Sequence, residues 1–127
     1  MEQLQASGHL VSTYRHLVET GLMDLATGNV SCRVEGGMLI SCSGATAQNL
    51  TPDRVVFVRE DGTWAGDIKP SSEWRMHSAV YKNSDKANAV IHAHSAYCVA
   101  MACNNMPLPG FHYICLLYTS DAADEVD

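Results

Sequence analysis

Leu10, Val11, Tyr14, Leu17, Val18 and Leu22 recur at the i, i+1, i+4, i+7, i+8 spacing of one apolar helical face. The chain therefore opens on an amphipathic helix, interrupted at Gly21. Ala26-Thr27-Gly28-Asn29 is a turn-like cluster. Two short β-type runs follow it, Val30–Arg33 and Met38–Ser41, and Glu35-Gly36-Gly37 between them predicts a hairpin. Ser43-Gly44 ends the second run, Thr51-Pro52-Asp53 marks a further turn, and Val55–Val58 is a compact strand closed by Glu60-Asp61-Gly62. Pro70-Ser71-Ser72-Glu73 puts hydroxyls where a helix N-cap belongs, with an acid in the first turn and Trp74, Met76, His77, Val80 and Tyr81 behind it. A second helix is predicted from about Ser72 until Asn83-Ser84-Asp85 closes it. Ala87–His94 has the composition of a strand, and the stretch from Tyr97 to about Cys103 is again helical until Met106-Pro107-Leu108-Pro109 stops it. Helix, strands, helix, strand, helix, with no internal repeat or linker, is the order of a single mixed α/β domain.

Composition narrows the function more than the fold. With 46% apolar residues in 127, one domain can build a core. The formal charge is −6, from 8 basic and 14 acidic residues, and no run of lysines or arginines could follow a phosphate backbone, so nucleic acid is set aside as a partner. Part of the acidity is local to residues 115–127, where Asp121, Asp124, Glu125 and Asp127 stand without a base. No stretch approaches the ~20 apolar residues that cross a bilayer, and no basic segment precedes an apolar one at the start. The expectation is no membrane partner and a cytoplasmic location. Cys32, Cys42, Cys98, Cys103 and Cys115 are odd in number and form no C-x-x-C. They are expected to be reduced thiols acting as small buried hydrophobes.

Three segments carry candidate chemistry. In His92-Ala93-His94, strand alternation sends both imidazoles off one face about 6.6 Å apart along the chain, so they could converge on one ion. Catalytic zinc takes three protein ligands, so two imidazoles are an incomplete set, and an isolated H-x-H is equally a pair of structural histidines. The preceding Ala89-Val90-Ile91, read as buried strand, favours the metal, because unpartnered imidazoles at its end would waste core surface. Pro70-Ser71-Ser72-Glu73 offers hydroxyls and unpaired backbone N–H groups at a helix start, which suit an anion such as phosphate as well as they suit an ordinary cap. Gly28-Asn29 and Ser43-Gly44 flank the hairpin, where glycine lets backbone approach a ligand and a small polar side chain donates to it; simple turn chemistry is the other reading.

Taken together, the motifs resemble the class II aldolase/adducin family, and specifically its L-fuculose-1-phosphate aldolase-like members. The resemblance runs from about Leu10 to Ile114 through Thr27–Arg33, Met38–Gly44, Pro70–His77, Ala89–His94 and Pro107–Tyr113. It implies an α/β/α layered domain with a mainly antiparallel central sheet, here incomplete at the C-terminus. It implies a phosphate pocket lined by Gly28, Asn29, Ser43, Gly44, Ser71 and Ser72. It also implies zinc, or another divalent metal, held by His92 and His94 with Glu73 coordinating before substrate arrives and then acting as acid and base. Tyr113 falls where aldolase relatives have a proton donor that reaches a neighbouring subunit's site, which implies a homotetramer. The substrate class implied is a small-molecule sugar phosphate, cleaved from a ketose 1-phosphate to dihydroxyacetone phosphate and an aldehyde. Sugar-phosphate 4-epimerases, decarboxylases and a dehydratase share the family's core, and adducin-like modules share the fold without the metal histidines.

The family's third zinc histidine lies downstream of the Pro-x-Pro loop, and no residue of this chain matches it; His9, His16, His77 and His112 occupy no metal position. From about Cys115 the resemblance stops, and Leu116–Glu125 looks like a translated sequencing-adapter tail. An acidic disordered terminus has the same composition. The expected division is therefore 1–114 for the N-terminal part of the domain and 115–127 for a non-native or disordered tail.

Overall fold

A computed structural model describes residues 2–24 and 26–107. Helix α1 spans Glu2–Glu19, β1 Asn29–Val34, β2 Gly37–Ile40, β3 Val56–Arg59, α2 Trp74–Asn83, β4 Ala89–His92 and α3 Ala96–Cys103, with a single 3-10 turn at Pro52–Arg54. The described chain divides after Ser95 into two compact units, and α3 belongs to the second. None of the α3 residues is buried, and Tyr97 is 88% exposed.

Helix α1 begins a full two turns before its apolar stripe, because Glu2-Gln3-Leu4-Gln5-Ala6 is made of strong helix formers. It stops where Gly21 takes φ +76°. Leu22 N–H then donates to Leu17 O and Gly21 N–H to Val18 O, both at 3.0 Å, the two-bond closure that glycine allows at a helix end. Leu22, predicted on the buried face, is thereby carried past the helix and is 42% exposed. Leu10, Val11, Tyr14 and Leu17 do form that face, each at most 9% exposed.

The strands form one antiparallel sheet in the order β3-β2-β1-β4. The predicted hairpin is β1–β2, with Ser31 opposite Ile40 and Val34 opposite Gly37. Opposed residues share a face, so Ser31, Ile40 and Val56 lie on one side and Val30 and Leu39 on the other. All five are buried, so both faces of the sheet's centre are covered. Helix α2 reaches the first face through His77 and Tyr81, and α1 packs on β1 and β2.

Three expectations need correction. Ala87–His94 shortens to a strand ending at His92, so His94 stands beyond the ladder instead of two places along it. That strand was read as buried, but β4 lies at the sheet edge with β1 as its partner among the described residues, and Ile91 is 50% exposed. Of the cysteines, Cys42 is buried as expected, Cys32 is half-buried, and Cys98 and Cys103 are exposed, since α3 buries none of its residues; all four are free thiols. Among the described residues, no helix is long and apolar enough to cross a membrane.

Candidate functional site

Three turns meet at one end of the sheet. The β1–β4 register sets Asn29 opposite His92, so both side chains leave the face that α2 covers. Glu73 caps the start of α2, and His77 follows one helical turn later on the same side. Strand register and helix period thus deliver Glu73 beside His92 and His77 beneath Asn29. A bridge between Cys42 and Pro70 joins the remaining two turns, with Ser43 N–H donating to Lys69 O and Ser71 N–H to Ser41 O, each at 2.9 Å.

The result is a cleft of about 280 Å³ lined by Thr27, Gly28, Asn29, Ser43, Gly44, Ser71, Ser72, Glu73 and His94, among others. Ser43, Gly44 and Ser72 are exposed, whereas Asn29 is 5% and Ser71 6% exposed. Gly44 takes φ +66°, a left-handed conformation that glycine adopts without the strain a side chain adds. Gly28 is required for another reason than ligand approach: a Cβ there would meet His92 O at 2.7 Å and Met23 at 2.8 Å. The N-cap was expected at Ser71 or Ser72 but falls on Glu73, whose side chain makes no capping bond. Ser71 Oγ accepts instead from Glu73 N–H at 3.3 Å, which leaves the Glu73 carboxylate directed elsewhere.

That carboxylate lies against β4. Glu73 Oε2 is 2.8 Å from His92 Nδ1, yet off its hydrogen-bonding direction, so this buried nitrogen has no aligned partner. The His92 and His94 rings are 4.9 Å apart between centroids. Among the described residues, no group of three or more His, Cys, Asp or Glu side chains is gathered as a metal-holding set. Tyr113 and His112 lie outside the described residues, as do positions 115–127.

Behind the cleft is a buried polar chain around His77, which the sequence showed only as a helix residue in no metal position. His77 is fully enclosed; Asn29 Oδ1 bonds its Nε2, Ser31 Oγ its Nδ1 at 2.7 Å, and Tyr81 Oη meets Ser31 Oγ at 2.7 Å. The clue available in the sequence was polar Asn29 and Ser31 on one strand face, opposite a helix that starts at the site. Burial, with the neighbouring His92 adding to it and Glu73 opposing, lowers the His77 pKa from 6.5 to about 4. The unfolded chain therefore binds a proton below pH 6.5 that the folded chain refuses. Stability from this group is complete above pH 6.5 and drains away as pH falls from 6.5 to about 4, a loss of roughly 3 kcal/mol. Urea melts between pH 7 and 4 should show that slope, and His77→Gln should flatten it; an equal slope in both proteins would remove His77 as its source.

Helix α1 fixes the opposite wall. Tyr14 Oη donates to Ala45 O at 2.7 Å, and Arg15 donates to Ala47 O and Leu50 O, each at 3.1 Å, so the loop after Gly44 hangs from one helix face. Burial raises the Tyr14 pKa, with Cys42 adding to it, and the phenol stays a donor. Tyr14→Phe strands the buried Ala45 carbonyl and should cost about 1–3 kcal/mol in denaturant unfolding.

The mixed domain with its antiparallel sheet matches the class II aldolases in fold. The class II aldolase and adducin N-terminal domain model matches residues 8–124, and the chain belongs to that family. It is 40% identical over 121 residues to 5-methylthioribulose-1-phosphate/5-deoxyribulose-1-phosphate aldolase of Escherichia coli O45:K1, covering 95% of this chain and 57% of that one. It is 37% identical over 114 residues to L-fuculose phosphate aldolase of Escherichia coli O6:H1, covering 90% of this chain and 53% of that one. A solved L-fuculose 1-phosphate aldolase superposes with a TM-score of 0.79 at 34% identity, over 85% of this chain and 52% of that one. The chain thus spans about half the length of these relatives.

Proposed function

We propose that the protein to which this chain contributes cleaves a ketose 1-phosphate by a metal-dependent retro-aldol reaction, releasing dihydroxyacetone phosphate and an aldehyde. The observation that carries this reading is the cleft itself, where neutral donors and one carboxylate share a wall. Asn29, Ser43, Ser71, Ser72 and the Gly44 backbone suit a phosphate by hydrogen bonding without a cationic side chain. The two aldolases compared above differ in the sugar they are named for and agree on a phosphorylated ketose, so the reading stops at that class.

His92, His94 and Glu73 are the residues that would hold zinc or another divalent cation, and the unaligned, buried His92 Nδ1 fits a ligand role. Among the described residues the three are not gathered as a metal-holding set. When bound, such a cation supplies Lewis-acid compensation for the enediolate charge that carbon–carbon cleavage beside a carbonyl creates. The chain's own work is positional and protolytic. The hydroxyl and amide donors hold the phosphate, which places the adjacent carbonyl toward β4. Glu73, among the described residues the one carboxylate on the cleft wall, moves a proton between substrate hydroxyl or carbon and itself. Tyr113 is proposed as a second proton donor, acting across a homotetramer interface.

Metal analysis of the full-length protein, with cleavage assayed on a panel of ketose 1-phosphates, tests this. Near-stoichiometric zinc is expected, with most of it lost in His92→Ala and in His94→Ala. A protein that stays metal-free and inert after zinc is added ends the reading.

A further inference from the structure

The Asn29–His77–Ser31–Tyr81 chain is set apart from the cleft residues because it touches the cleft only through Asn29. An asparagine carboxamide can present either its oxygen or its NH2, and the choice decides whether it accepts or donates. Here Asn29 Oδ1 is turned to His77 Nε2, which must then carry the proton. His77 Nδ1 is left as an acceptor for the Ser31 hydroxyl, and Ser31 Oγ accepts in turn from Tyr81. Tyr81, Ser31 and His77 each donate once along this line and Asn29 accepts at its end, with no two donors or two acceptors opposed. No described residue accepts from Asn29 Nδ2, and Asn29 is the member of this chain that lines the cleft.

We propose that His77 is a positioning residue: as the Nε2–H tautomer, wired to Ser31 and Tyr81, it locks the Asn29 carboxamide so that its NH2 faces the cleft as an anion donor. The opposite polarity would turn the Asn29 oxygen into the cleft, where it would repel a phosphate oxygen. This rests on the reading of the cleft as a phosphate site. It extends that reading by making the site's donor character depend on a helix residue that never meets the ligand.

The test uses the ¹⁵N-labelled chain and inorganic phosphate. Long-range imidazole correlations should show His77 protonated at Nε2, and the Asn29 side-chain amide should shift as phosphate is added. His77→Gln, whose terminal NH2 can stand in for Nε2–H, should hold phosphate affinity within about threefold, while His77→Leu should weaken it about tenfold or more. In an Asn29→Ala background, His77→Leu should have little further effect, because the two substitutions remove one interaction. A His77 protonated at Nδ1 overturns the proposal even if no variant folds. So does an unchanged affinity in folded His77→Leu, or a loss that adds fully to that of Asn29→Ala. If His77 is protonated at Nε2 but no cleft amide responds to phosphate, the phosphate reading itself fails and takes the proposal with it.

Discussion

Glu73→Gln should lower ketose 1-phosphate cleavage by about 10²–10⁴-fold while leaving the protein as stable as the parent. The two halves of that expectation have separate causes. The Glu73 side chain is 41% exposed and makes no capping bond, so swapping its carboxylate for an amide of the same shape disturbs little packing; such a change is usually within about 0.5 kcal/mol. Proton transfer, by contrast, needs a group that titrates, and among the described residues no other carboxylate lines the cleft. Loss of kcat with an unchanged melting curve is the expected pattern in steady-state assays. Activity within tenfold of the parent would assign the proton to another group and demote Glu73 to a wall residue.

The second large effect is on stability. Ile40 is 0% exposed and sits in the sheet between Ser31 on β1 and Val56 on β3. Ile40→Ala removes three buried carbons at the point where both neighbouring strands are already paired, so the strands cannot close in to fill the gap. A loss of about 2–5 kcal/mol is expected, a large share of the roughly 5–15 kcal/mol that holds a domain together. Urea unfolding with an unchanged m-value would measure it, and a loss below about 1 kcal/mol would mean that the site collapses freely.

How much of this was readable beforehand depended on the kind of signal. Periodicities showed through: the α1 stripe from Leu10 to Leu17, the β1–β2 hairpin around Gly36-Gly37 and the second helix behind Glu73 are local patterns with local causes. The residues lining the cleft were legible as ordered motifs, because Gly28-Asn29, Ser43-Gly44 and Ser71-Ser72 each sit at a turn. That these turns meet was not, since it depends on the Cys42–Pro70 bridge and the Asn29–His92 register, which are pairings between distant segments. Exposure was misjudged for the same reason: Ala89-Val90-Ile91 has the composition of a central strand, and only the strand order puts it at the sheet edge among the described residues. His77 was hidden by its own chemistry, because one histidine on a helix looks alike whether it packs or organises a polar chain.

The missing side chain at Gly28 has a further consequence for which molecules the cleft can accept. Because a Cβ there would collide with the His92 carbonyl, the Gly28 turn is seated directly on the strand that carries His92. Under the proposed reading this works as a gauge: the span from phosphate to reacting carbon is set by backbone against backbone, with no flexible side chain between them to stretch. Substrates would be sorted by that fixed interval, while whatever hangs beyond it is left free to vary.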